Sequence, residues 1–236
     1  MHTPLYWVRD ERFADQFPAT EHALEEPNGL LAAGGDLSVG RILEAYKQGI
    51  FPWFSDGQPI LWWAPDPRSI LHPDGLKVSR SLRKTLKREP FVVTFDEAFG
   101  EVIRGCAAPR RDAAGTWVTQ SMIDAYEALH RHGHAHSIEC WLAEELVGGL
   151  YGLAIGKVFF GESMFSRVTD SSKVAMVNLV ARLNEWGYQL IDCQVHNPHL
   201  VSLGAKTISR SEFDRMLAEH CAAEPSALAW QKEPTP

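Results

Sequence analysis

The sequence predicts an α+β protein in which a small N-terminal domain, residues 1–67, precedes a larger mixed-sheet domain with flanking helices, residues 68–236. Three observations carry that expectation. At 236 residues, the chain is long enough for one ordinary domain plus a small one. In the stretch ILWWAPDPRSIL, an apolar strand-like run meets two prolines that stiffen the chain and exclude helix, which places a boundary near Pro67. Beyond it, three strand-like runs follow one another in HSIECWLAEELVGGLYGLAIGKVFFGESMFS, with helical segments on either side.

Ser38 is a good N-cap and Gly49 a good stop, so the segment between them reads as a helix, followed by the aromatic cluster Phe51, Trp53 and Phe54. FVVTF is a strand, Asp96 caps a helix to about Cys106, and Thr119 caps another that runs to Gly133. The three strands break at Ala143–Glu145 and Gly156–Lys157. Asp170 then opens a helix to Trp186 whose apolar side includes Val174, Val177, Leu179, Val180 and Leu183. Gly187 stops it and YQLIDCQV is the next strand. Ser209 with Glu212 forms a capping box for a last helix, and the tail from Glu224 reads as frayed.

Composition excludes several classes. Hydrophobic residues make up 45% and charged residues 22%, and no run approaches the ~18 apolar residues of a membrane helix. MHTPLYWVRDERF has neither the basic start nor the apolar core of a signal peptide, so the expectation is a cytoplasmic protein without membrane contact. Cys106, Cys140, Cys193 and Cys221 show no C-x-x-C spacing and read as reduced, mostly buried thiols. The net charge of −7 means that any nucleic-acid contact needs a local concentration of positive charge.

KVSRSLRKTLKR, residues 77–88, supplies one. It has six basic residues and no acid; read as a helix, it places Lys77, Arg80, Arg83, Lys84, Lys87 and Arg88 on one side and Val78, Leu82 and Leu86 on the other. A solvated helix face is the ordinary fate of such a run, but in an acidic chain the stripe points to phosphate contacts. Most of the eight tryptophans belong in cores; Trp53 and Trp117, which sit beside turn residues or a loop, are candidates for base stacking. The alternating His130, His132, His134 and His136 invite a metal reading, yet Gly133 marks a helix end between them, and no metal site is expected.

LIDCQVHNPH, residues 190–199, gathers an acid, a thiol, a carboxamide and imidazoles. On a strand Asp192 and Gln194 share one face, while Ile191, Cys193 and Val195 share the other. The thiol therefore faces away from the acid. A polar pair at a strand's C-terminal end is a catalytic candidate, with a structural pair bonded to a neighbouring loop as the alternative.

Several segments, taken together and in order, resemble the bacterial leucyl/phenylalanyl-tRNA–protein transferases: GLLAAGGDLS, AYKQGIFPWF, WWAPDPRSIL, SRSLRK, TWVTQSMIDAYEALH, FFGESMFSR, SSKVA and LIDCQVHNPHLVSLGA. The resemblance implies transfer of Leu or Phe, with Met a third candidate, from charged tRNA to proteins that begin with Lys or Arg, marking them for degradation. It also implies a second domain similar to the GNAT N-acetyltransferases, a monomer, and no cofactor. By the same matches Trp53 and Trp117 hold the terminal adenosine of the tRNA, and Phe159, Leu179 and Leu183 line the pocket for the transferred side chain. Leu179 and Leu183 stand where familiar members have phenylalanine, which bears on the choice between Leu and Phe.

The family assigns Gln194 the amine proton, assisted by Asp192. A neutral amide is a poor base, so the residue chemistry assigns basicity to Asp192 and orientation of the amine to Gln194. Glu162 offers a negative charge for a cation, either the acceptor's side chain or its α-ammonium. Three rival readings are a tRNA-binding module without catalysis, a GNAT-like enzyme with another acyl donor, and a cysteine hydrolase. Acetyl-CoA would call for an R/Q-x-x-G-x-G/A turn, which the sequence lacks, and the hydrolase would need an exposed Cys193.

Overall fold

The computed structural model describes residues 5–9, 17–108 and 118–231. The N-terminal part builds a four-stranded sheet from β1 (Tyr6–Val8), β2 (Leu30–Gly34), β3 (Phe51–Pro52) and β4 (Leu61–Trp63), in the order β1-β2-β4-β3. Its helix α1 (Val39–Lys47) begins where the Asp36 carboxylate accepts the Ser38 amide, and it ends at Gly49, whose φ of +76° suits a residue without Cβ.

The larger sheet has seven strands: β5 (Arg68–Leu71), β6 (Val92–Phe95), β7 (Ala135–Leu142), β8 (Glu145–Ile155), β9 (Val158–Ser166), β10 (Leu190–Gln194) and β11 (Lys206–Ile208). Their order is β11-β5-β10-β9-β8-β7-β6. All neighbours are antiparallel except β9 and β10, which run parallel and are joined by α5 (Ser171–Glu185). A parallel pair cannot be closed by a hairpin, so a crossover helix is required there. The remaining helices are α2 (Arg80–Arg88), α3 (Phe99–Ala107), α4 (Gln120–Arg131), α6 (Pro198–Ser202) and α7 (Arg210–His220). No helix among the described residues is long and apolar enough to cross a membrane.

Two apolar cores follow from this arrangement. One joins α3, α4 and the large sheet to the N-terminal sheet, with Val102, Tyr126, Tyr151 and Phe160 in the same cluster as Ile42, Tyr46 and Trp62. The other lies beneath α5 and contains Leu150, Phe159, Val174, Leu179, Leu183 and Ile191. The two sheets therefore share one interior.

Several boundaries differ from the sequence reading. The basic helix starts at Arg80, because the Ser79 hydroxyl accepts the Leu82 amide and caps it; Lys77 lies outside the helix. Asp96 does not cap α3, which begins after Ala98; at φ +59° it instead accepts the Ser137 amide at 2.8 Å and contacts His136 Nδ1 at 2.7 Å. The segment from Glu224 to Gln231 is not frayed. Ser226 donates to the Trp186 carbonyl, and the Trp230 indole donates to the Tyr188 hydroxyl and stacks on the His136 ring at 3.9 Å. A large aromatic in a polar tail is a signal for such docking. His130, His132 and His136 each make a hydrogen bond within the fold.

Candidate active site

The site forms where the two parallel strands part. β9 and β10 pair through Asp192 opposite Phe160 and then separate. Each carries an irregularity at that point. In β9, Gly161 faces Gly152 and Ser163 faces Tyr151, which leaves Glu162 as an extra residue. In β10, Asp192 faces Ile70 and Gln194 faces Ser69, which leaves Cys193 over, and Gln194 adopts φ +60°. Bulges of this kind re-aim side chains. Opposite the first, a Cβ on Gly152 would lie 2.2 Å from the Phe160 carbonyl oxygen and 2.7 Å from the Phe159 ring, so only glycine lets the strands close beneath Phe159.

A cavity of about 400 Å³ opens at this divergence. Its apolar wall includes Leu150, Phe159, Met176, Leu179, Ile191 and Cys193; Glu162, Asp192 and Gln194 border it, and Trp53 and His199 stand at its edge. Leu183, grouped with Phe159 and Leu179 by resemblance, does not line this cavity. It is fully buried one turn further along α5, within the second core. Trp53 is 41% exposed, with its ring 5.7 Å from that of Trp63 and its carbonyl accepting the Trp63 indole N–H. Trp117 lies outside the described residues.

Glu162 accepts three side-chain hydrogen bonds at the border of the cavity. Its Oε1 accepts from the Tyr46 hydroxyl at 2.6 Å and from Gln194 Nε2 at 2.8 Å; its Oε2 accepts from the Tyr126 hydroxyl at 2.9 Å. Burial raises its pKa to about 7, against the pull of the two tyrosines and Arg68 and with Asp192 adding to the rise. A carboxylate so tuned exchanges protons at neutral pH.

Asp192 is different. Arg68 donates to both of its oxygens, from Nε at 2.9 Å and from a terminal nitrogen at 2.7 Å, and Oδ1 also accepts the Gln194 amide. The pair is sealed, with side chains 1% and 0% exposed. Arg68 donates its other terminal nitrogen to the Gly49 carbonyl and lies between the Phe51 and Phe213 rings. The assignment of basicity to Asp192 does not fit this geometry, because both oxygens are already committed to a fixed cation. Cys193 faces the second core as alternation requires, and burial pushes its thiol well above the ordinary range.

Sequence reasoning missed Arg68, Tyr46 and Tyr126. For Arg68 a signal existed: one cation in the short apolar strand RSIL needs a buried partner. The six basic residues at 77–88 are all exposed, while Leu82 is buried and Val78 and Leu86 pack on the second core. None of the six takes part in an ion pair among the described residues.

Residues 70–218 match the sequence profile of the leucyl/phenylalanyl-tRNA protein transferases, and residues 35–66 match that of their N-terminal domain. The chain belongs to this family. It is 58% identical to the leucyl/phenylalanyl-tRNA–protein transferase of Stutzerimonas stutzeri over 227 residues, covering 96% of this chain and 99% of that one. With the transferase of Nitrosomonas europaea it shares 61% over 201 residues, 85% of each chain. Among solved structures, L-PGS from Bacillus licheniformis is similar at 12% identity and a TM-score of 0.40, over 71% of this chain and 53% of that one. A GCN5-related N-acetyltransferase from Kribbella flavida is similar at 10% identity and a TM-score of 0.36, over 72% of this chain and 61% of that one. Within the family's matched span lie both bulged strands and Arg68's partner Asp192.

Proposed function

We infer that this chain is an aminoacyltransferase that moves Leu or Phe from charged tRNA to proteins, with N-terminal Lys or Arg on the acceptor and Met as a third donor residue, so marking the acceptor for degradation. The observation that carries this reading is a single cavity with an apolar wall and, at its border, a carboxyl group tuned near neutrality and hydrogen-bonded to a carboxamide. An apolar side chain fits the wall, and an ester carbonyl beside it meets Glu162 and Gln194.

The donor ester is already activated, so the protein must position an amine and take its proton. An α-ammonium has an unperturbed pKa of about 7.7–8.0, so passing its proton to a carboxylate near 7 costs only about 1.4 kcal/mol. Glu162 receives that proton and Gln194 orients the nitrogen; Asp192, clamped by Arg68, holds the end of β10 in its bulge. Phe159 and Leu179 accept the transferred side chain. Trp53 and Trp117 stack on the terminal adenosine, and Lys77, Arg80, Arg83, Lys84, Lys87 and Arg88 meet tRNA phosphates. The domain division at residues 67/68 follows the two sheets, and the protein acts as a cytoplasmic monomer.

The test is transfer of labelled Leu or Phe from tRNA to a peptide with N-terminal Arg, with a Gly-initiated peptide as control. Product with Arg alone supports the reading, and no product from either donor refutes it.

A further inference from the structure

Behind Glu162, away from the cavity, two tyrosines meet. Tyr46 comes from α1 of the N-terminal sheet region and Tyr126 from α4; both are fully buried, and their hydroxyl oxygens lie 2.5 Å apart. Neither lines the cavity. With Glu162 they form a closed ring of three oxygen–oxygen contacts: Tyr46 to Tyr126, Tyr46 to Oε1, and Tyr126 to Oε2.

Counting hydrogens decides what the ring does. Each phenol has one, so an ionised Glu162 leaves two hydrogens for three contacts. If both phenols donate to the carboxylate, the 2.5 Å contact between them holds no hydrogen; if Tyr46 donates to Tyr126, the 2.6 Å contact with Oε1 holds none. A protonated Glu162 supplies the third. The acid then donates to Tyr46, Tyr46 to Tyr126, and Tyr126 back to the carboxyl group.

Resting on the reading of Glu162 as proton acceptor, we propose that Tyr46 and Tyr126 are positioning residues that close a hydrogen-bonded ring with Glu162, which takes up the acceptor's proton and releases it to solvent after transfer. The step balances. One proton of the acceptor's ammonium passes to Glu162; the freed nitrogen lone pair forms the C–N bond; a second N–H proton goes to the ribose oxygen as the ester C–O bond breaks. The products are an amide, a free hydroxyl and neutral Glu162, which loses its proton through the cavity.

The groups facing Glu162 fix the direction of the effect. They are Tyr46, Tyr126, Tyr151 from β8, Asp192 and Gln194 from β10, and Arg68 from β5. Burial and Asp192 favour the neutral acid, and the two tyrosines oppose them. Protonation fills all three contacts of the ring, but the phenols' bonds to the carboxylate are charge-assisted and stronger than those to the neutral acid, and that difference outweighs the added contact; losing a phenol therefore leaves the proton held too tightly to be released.

The experiment is the pH profile of single-turnover transfer to an Arg peptide. Tyr46→Phe and Tyr126→Phe should each move the acid-side midpoint upward by about one pH unit, with the rate recovering at high pH and donor affinity unchanged. Fluorotyrosine at position 126, a stronger donor that keeps every hydrogen-bonding atom, should move it downward and guards against a folding defect in the phenylalanine variants. Unmoved midpoints in all three overturn the proposal. The underlying reading fails separately: Glu162→Gln should move the acid limb to the free amine's own pKa of about 7.7–8.0, with the rate below it lost, and a Glu162→Gln enzyme that keeps the wild-type profile removes Glu162 as proton acceptor altogether.

Discussion

Arg68→Met should unfold the site from within. The guanidinium makes two hydrogen bonds to Asp192 and one to Gly49, and its removal leaves a fully buried carboxylate with only the Gln194 amide as partner. Breaking a buried ion pair from one side costs about 3–5 kcal/mol, because the remaining charge is neither solvated nor paired. For a chain of this size each kcal/mol shifts the melting temperature by roughly 2–4 °C, so a fall of about 6–20 °C is expected. Asp192→Asn should cost a comparable amount by stranding the guanidinium. The double variant Arg68→Met/Asp192→Leu removes both charges and replaces them with apolar volume, so it should regain most of the loss while remaining impaired in transfer, since β10 loses the clamp beside Gln194. Urea denaturation followed by fluorescence, with single-turnover transfer on the same samples, measures both quantities. Single variants that each cost less than about 1 kcal/mol, the value of an exposed pair, would refute the claim that this contact is sealed and structural.

Three further outcomes are expected. Because the folded pKa of Glu162 lies near 7, above the ordinary carboxylate value, the native state holds a proton that the unfolded chain has lost; stability from this group falls as pH rises toward about 7 and is level above it, and Glu162→Gln should flatten that slope in denaturant titrations across pH 5–8. Replacing Arg80, Arg83 and Lys84 by Ala should reduce the salt dependence of tRNA binding by roughly two to three units of logarithmic slope, equally for each accepted tRNA, whereas an unchanged slope would make the stripe an ordinary solvated face. Leu179→Phe narrows the apolar wall and should lower transfer of Phe relative to Leu by ~10-fold, read as a ratio of kcat/KM values with the two donors.

Much of the fold was legible because its elements announce themselves locally. Thr119 and Ser209 accept the amides of Met122 and Glu212 as their positions imply, and the breaks between β7, β8 and β9 fall at the two turns expected. Alternation correctly turned Cys193 toward the second core. What failed was non-local. Asp96 has the residue type of a cap, yet its carboxylate is claimed by Ser137 and His136 some forty positions away. Asp192 reads as a free acid until Arg68, 124 positions earlier, is brought against it. Strict period-two alternation also has no means of anticipating the extra residues at Glu162 and Cys193, and those bulges are what aim the polar groups at the cavity.

The wall behind Glu162 has a consequence for how this protein can be divided. Tyr46 belongs to the small N-terminal region by sequence, but its hydroxyl ends on a carboxylate of the large sheet, and the Gly49 carbonyl ends on Arg68. Cutting the chain at residue 67 would therefore separate a reactive group from part of its own solvation shell. A shortened version comprising residues 68–236, or a chimera carrying a foreign N-terminal region, would keep every residue of β9 and β10 and still present an altered acid. The smaller region is thus a component of the reaction chamber, and exchange between relatives will succeed only where the incoming segment restores a phenol at position 46 and a backbone at position 49 that turns its carbonyl toward Arg68.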